Sequence, residues 1–233
     1  MAIDLPQVAL LGSPLLGPAV WRSCAHALID RGWDVRVVPG LGRAPRGPDA
    51  VMEHLLDSLP VGRPLALVAH SNAGLYLPAV SAERRVLARV FVDAALPAAS
   101  GATPLAPPGM HDFLCGLVGA NGLLPPWTEW RSEEELAALF PDPASRSAVA
   151  AEQHRLPLSY FTATLDAPAG WTDGPAAYLA FDDTYQVERE SAERWGWRVH
   201  TLPGEHLHQL VDPEGVAAAV DGLLRQQLDV PCT

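Results

Sequence analysis

The stretch "PLALVA" at residues 64–69 contains no polar side chain, and "HSNAGLYLPA" follows it immediately. A strand that is apolar on both faces has to be covered on both, which a parallel sheet held between two layers of helices provides. No other feature of the chain narrows the choice of fold as much.

The rest of the sequence repeats the alternation. "QVALL" (7–11), "WDVRVVPG" (33–40), "ARVFVD" (88–93), "AAYLAF" (176–181) and "WRVHTL" (197–202) are short apolar or β-branched runs. Helical spacing lies between them in "VWRSCAHALIDRG" (20–32), "DAVMEHLLDSL" (49–59), residues 72–82 and "VERESAERWG" (187–196), and "DPEGVAAAVDGLLRQQL" (212–228) adds a last helix. Six strands alternating with helices predict an α/β fold, a mostly parallel sheet with helices on both faces.

The alternation breaks from Ala94 to about Pro175, where proline, glycine and aromatic residues accumulate. "SEEELAALF" (132–140) is a helical piece there, and its Ser132 and Glu135 have capping-box spacing. So long a connection is expected to carry structure of its own. The expected organisation is a core of residues 1–93 and 176–233 with 94–175 inserted as a helical cap. At 233 residues this makes a single domain overall.

A formal net charge of -11 repels phosphate, so neither nucleic acid nor an anionic membrane is an expected partner. Cys24, Cys115 and Cys232 are scattered and lack CxxC spacing, which suits a reducing, cytoplasmic setting. The apolar start of the chain has no Lys or Arg before it and is interrupted by Pro6, Pro14 and Pro18, a poor match to a signal peptide or membrane span.

Three motifs fail on their chemistry. "GSPLLG" (12–17) has phosphate-loop spacing, but Pro18 and Ala19 stand where Lys and Ser/Thr would meet the phosphates. "GLGRAP" (40–45) begins like a dinucleotide loop and reaches Pro45 instead of its third glycine. His206 and His208 form an HxH pair with no further ligand at suitable spacing, so no metal is expected.

Ser71 is different. It sits between the buried strand and a helical segment, with Ala69 and Ala73 two residues to either side and Gly74 beyond. This is the G-x-S-x-G nucleophile elbow softened to A-x-S-x-A-G. In such a turn the serine oxygen is raised off the carboxyl edge of the sheet, and the backbone N–H of Asn72 faces a developing oxyanion. The competing reading is a serine that caps an ordinary βα turn. A partner base favours the nucleophile. "LPGEHLHQLVDPEG" (202–215) places His206 in the loop after the last strand, at the same sheet edge, with His208 as its rival. His70 is too close to Ser71 in sequence to reach its oxygen from a tight turn.

Together, "LLGSPLLGPAVW", "VAHSNAG", "VFVDAALP" and "LPGEHLHQLVDPEGVA" resemble the α/β-hydrolase superfamily. The resemblance is to its small single-cap branch of plant-type methylesterases and hydroxynitrile lyases, and to short bacterial hydrolases of secondary metabolism. It runs along nearly the whole chain and is loose between residues 94 and 175. It implies Ser71 as nucleophile, His206 as base, and the amides of Asn72 and Ser13 as the oxyanion hole. "LLGS" replaces the family's HG-x motif, with Leu11 where histidine is usual, and Pro14 has no N–H to offer. The order Ser…Asp…His leaves two places for the acid. Asp93, at the end of "ARVFVD", is slightly preferred; Asp183, beside Asp182 after "AAYLAF", is close behind, although the usual offset falls nearer Thr184.

Phe113, Trp127, Trp130, Phe140, Tyr160, Phe161 and Trp171, with Met110, suggest an apolar or aromatic small-molecule substrate beneath the cap. Three readings follow. The first is a cofactor-independent serine hydrolase acting on an ester, thioester or lactone through an acyl-enzyme. The second keeps the Ser/His pair as an acid–base relay for a cyclase, lyase or bond-forming step. The third is a non-catalytic small-molecule binding protein, against which an intact Ser71 and His206 argue.

Overall fold

The structure, a computed structural model, describes residues 5–181 and 183–229; Asp182 and Cys232 lie outside the described residues. In chain order the first part runs β1 (Gln7–Leu11), α1 (Arg22–Asp30), β2 (Val35–Val37), α2 (Pro48–Ser58), β3 (Leu65–Ser71), α3 (Leu77–Glu83) and β4 (Val86–Ala94). There follow β5 (Ala102–Pro104), α4 (Pro108–Leu117), α5 (Glu133–Leu139), α6 (Pro143–Ala150), α7 (Leu158–Phe161) and β6 (Thr164–Asp166). The chain then returns through β7 (Ala176–Ala180), α8 (Gln186–Arg194), β8 (Arg198–Thr201), α9 (His208–Val211) and α10 (Pro213–Gln227).

The main sheet has the order β2-β1-β3-β4-β7-β8, and every neighbouring pair in it is parallel. The apolar run that dominates the sequence lies at its centre, and all seven residues of β3 are buried. Helices flank the sheet, as parallel crossovers require. β2 is shorter than its sequence suggests, because it is an edge strand halted before Pro39.

Between β4 and β7 the chain leaves the sheet and forms α4–α7 together with a two-stranded antiparallel ribbon of β5 and β6 that the sequence pattern did not reveal. The Ser132–Glu135 capping box is present at the start of α5. None of the described helices is long and apolar enough to cross a membrane.

The segment after Ser71 is not a continuous helix. Residues Asn72–Tyr76 form a 3-10 turn, and α3 begins only at Leu77. The reason is close approach: a Cβ on Gly74 would stand 2.3 Å from the Ala95 carbonyl oxygen and 3.0 Å from the Ala94 Cβ. The tight turn brings the backbone against the end of β4, and only glycine fits there.

Candidate active site

Ser71 ends β3 with φ 59° and ψ -136°, a left-handed conformation that a residue with a Cβ adopts only under constraint. The buried strand and the turn pinned at Gly74 supply that constraint. Ser71 is buried, and its Oγ lies 3.2 Å from the Tyr185 hydroxyl.

A second strained residue stands beside it. Along β3 and β4, His70 pairs with Val92 and Ser71 with Ala94, so Asp93 is the extra residue of a β-bulge, with φ 41°. Tyr178 of β7 holds this bulge in place. Its hydroxyl accepts from the Ala94 N–H at 2.9 Å and donates to the Ala94 carbonyl at 2.7 Å. Among the described residues only Ser71, Asp93 and Asp229 are non-glycine residues with positive φ. Two of the three thus stand at adjacent strand ends.

The bulge aims Asp93 at the loop after β8. Asp93 has no exposed surface, and its Oδ2 lies 2.6 Å from Nδ1 of His206. Its other oxygen faces the Phe181 N–H at 3.5 Å. A carboxylate accepts only, so a neutral His206 ring carries its proton on Nδ1 and its lone pair on Nε2.

The loop that carries His206 is tied down by His70. The His70 Nε2 bonds the His206 carbonyl at 2.8 Å, and the two rings lie 4.5 Å apart, tilted by 32°. Burial, then the neighbouring His206, pushes the His70 pKa down to about 3. His70 is therefore a neutral donor at ordinary pH.

Ser71, Asn72, His206 and Tyr185 open on one cavity of about 670 Å³. Met110, Phe113, Trp127 and Trp130 form much of its apolar wall. Phe140, Tyr160, Phe161 and Trp171 are buried elsewhere, in the core of the segment or beneath it. Trp171, for instance, packs against Trp195 and Trp197 and donates its indole N–H to the Ala98 carbonyl. The cavity also holds charge: Arg131, whose guanidinium lies 5.8 Å from the Trp127 ring, together with Glu135 and Glu188. Burial, offset in part by backbone hydrogen bonding, raises the Glu188 pKa.

The other candidates are placed differently. Asp183 is not brought to His206; its exposed carboxylate pairs with Arg189 at 3.3 Å, one turn into the helix that follows. His208 packs its ring against Phe181 and opens α9. Ser13 is buried in a turn whose carbonyl accepts from the N–H groups of Leu16 and Gly17, both at 2.9 Å. Leu15, not Ser13, lines the cavity there. Among the described residues no group of three or more His, Cys, Asp and Glu side chains is placed to hold a metal ion.

Sequence reasoning missed Tyr185 and Tyr178, counted Tyr160 only among the aromatic residues of the inserted segment, and set His70 aside. The tyrosines come from three separate elements and mark no local pattern. His70 left one signal, a histidine within an otherwise apolar strand.

A parallel sheet of this order, flanked by helices, defines an α/β-hydrolase fold. The chain belongs to the alpha/beta hydrolase family, whose model matches residues 2–219. None of the curated proteins matches it. Among solved structures, an extracellular alpha/beta-hydrolase from a Paenibacillus species is similar, at 16% identity and a TM-score of 0.72, covering 96% of this chain and 99% of that one. That protein is described as sharing structural and functional homology with tobacco salicylic acid binding protein 2. Tomato methylketone synthase I, in an H243A variant complexed with beta-ketoheptanoate, is similar at 11% identity and a TM-score of 0.75, covering 97% of this chain and 100% of that one. A pyrethroid hydrolase is similar at 19% identity and a TM-score of 0.67, covering 94% and 97%. At these identities the likeness establishes the fold, and the family supports an enzyme of hydrolase type.

Proposed function

We propose that the protein is a serine hydrolase that cleaves an ester, thioester or lactone of a small, largely apolar substrate. Ser71 is the nucleophile, His206 the base and Asp93 the acid, and residues 94–175 act as the cap over the substrate. The observation that carries the reading is the 2.6 Å His206–Asp93 pair at the cavity that also holds Ser71.

Ser71 Oγ attacks the carbonyl carbon while its proton passes to Nε2 of His206, and Asp93 stabilises the imidazolium that results. The backbone N–H of Asn72, which borders the cavity, receives the oxyanion. Collapse of the tetrahedral intermediate expels the alcohol or thiol, which takes the proton from His206. Water then attacks the acyl-enzyme with His206 again as base, and Ser71 is regenerated.

Intact mass after exposure to a fluorophosphonate, for wild type and Ser71→Ala, tests this directly. A single adduct on wild type that is absent from Ser71→Ala supports the assignment. An unlabelled wild type, with no release of 4-nitrophenol from 4-nitrophenyl butyrate, overturns it.

One observation favours a second reading, in which the same pair serves as an acid–base relay for a lyase, cyclase or bond-forming step. Ser71 is hydrogen-bonded to Tyr185, a position suited to a group that passes protons without attacking carbon. A neighbour of the same fold bears the name methylketone synthase. Turnover of a β-keto acid without any covalent adduct on Ser71 would favour it.

A further inference from the structure

Asn72, directly after the nucleophile, is held by its side chain from two sides. Its Oδ1 accepts from the Tyr160 hydroxyl at 2.8 Å, and its Nδ2 donates to the Leu105 carbonyl at 3.2 Å. Both partners belong to the segment between β4 and β7, and they are linked through Ala163, whose carbonyl accepts from the Leu105 N–H at 3.0 Å and whose N–H donates to the Tyr160 carbonyl at 3.3 Å. The Tyr160 hydroxyl also meets the Tyr76 hydroxyl at 2.7 Å. Asn72, Tyr76 and Tyr160 are all buried.

The proton directions in this chain are determined. Tyr160 has one O–H and gives it to Asn72, so Tyr76 must be the donor to Tyr160. The order is Tyr76 to Tyr160 to Asn72 to the Leu105 carbonyl, with each hydroxyl proton used once. A buried hydrogen-bonded chain of this kind favours one geometry, because turning the Asn72 amide over would set its NH2 against the Tyr160 hydroxyl and its oxygen against the Leu105 carbonyl.

We propose that Tyr160 is a positioning residue for the oxyanion hole. Through the side chain of Asn72 it holds the backbone N–H of that residue where the oxyanion forms, and so couples the segment over the active site to the nucleophile turn. The inference rests on the nucleophile reading of Ser71. An apolar residue at position 72 would fill the same space, so the amide side chain is accounted for by orientation rather than by packing. Asn72 and Leu105 both line the cavity, so the gripped backbone borders the substrate space itself. Tyr76 stands at the head of the chain and its hydroxyl bonds Tyr160, so the Tyr160 bond to Asn72 can persist without it.

The test compares Tyr160→Phe, Tyr76→Phe and wild type by three readouts. These are the rate constant for fluorophosphonate labelling of Ser71, kcat and KM on 4-nitrophenyl butyrate, and the melting temperature. A lost oxyanion donor costs on the order of 10²–10³-fold in kcat, and a loosened one is expected to cost roughly tenfold. Tyr160→Phe is expected to lower both the labelling rate and kcat by that amount, with KM within about twofold. Tyr76→Phe is expected to lower the melting temperature while both rates stay within about twofold. Asn72→Leu cuts the same link from the other side and carries the same expectation should Tyr160→Phe fail to fold. In the Asn72→Leu background, removing the Tyr160 hydroxyl is expected to change the rates no further.

Wild-type rates in Tyr160→Phe, or equal losses in both tyrosine variants that track melting temperature, would overturn the inference and leave the nucleophile reading intact. A wild type that takes no label would remove both.

Discussion

His70 and His206 lie 136 residues apart in the chain, yet the Nε2 of one sits 2.8 Å from the backbone carbonyl of the other, and their rings face each other at 4.5 Å. The first histidine thereby ties down the loop that carries the second. Burial, not this bond, keeps His70 neutral: a charged ring would donate to the carbonyl as well, but it would have to give up its hydration in a closed interior.

A pH dependence of stability follows. Unfolded, His70 titrates near its ordinary 6.5; folded, burial depresses this to about 3. Between those values the unfolded chain binds a proton that the folded one refuses, so stability rises with pH. The contribution is complete above pH 6.5 and is lost as pH falls towards 3. Near pH 5 the loss through this one group is roughly 2 kcal/mol. Urea unfolding at pH 7 and pH 5 is expected to show a smaller acid loss for His70→Gln than for wild type; equal losses would refute the account.

The choice between the two aspartates is testable by substitution. Asp93→Asn keeps shape but cannot hold the imidazolium, and is expected to lower kcat roughly 10³–10⁴-fold. Asp183→Asn removes only a surface pair with Arg189 and is expected to change kcat by less than about twofold. A large loss in the second variant and none in the first would reverse the assignment.

Tyr185 and Ser71 share a hydrogen bond that is long for two hydroxyls, and hence weak. In the proposed mechanism Ser71 leaves it in order to attack. Tyr185→Phe is therefore expected to speed fluorophosphonate labelling about two- to fivefold, the equivalent of up to about 1 kcal/mol. Slower labelling would show instead that the phenol assists the reaction.

Two glycines are expected to respond with opposite signs. Gly74→Ala drives a methyl group into the Ala95 carbonyl and the end of β4, at an expected cost of about 1–3 kcal/mol together with loss of activity. Gly222, inside α10, has no heavy atom within 4 Å of an added Cβ, and Gly222→Ala is expected to stabilise by roughly 0.5–1 kcal/mol. Calorimetry that ranks the two the other way would contradict the packing described for the elbow.

The parts of this protein that were legible in sequence are those encoded by short-range patterns. An apolar run covered on both faces announces a central parallel strand, and Ser71 and His206 stand at turns that the strand-to-helix alternation locates by itself. The capping box of α5 is equally local, since Ser132 and Glu135 satisfy each other within one turn. Asp93 and Asp183 both satisfied the order that a Ser–Asp–His site requires. What separated them was a register shift between two strands, and a tyrosine from a third strand that holds the bulge in place. The side-chain grip on Asn72 likewise joins residues 88 positions apart. Such contacts depend on which strand ends and loops the folded chain brings within about 3 Å of one another, a matter of three-dimensional register that leaves no periodic trace along the sequence.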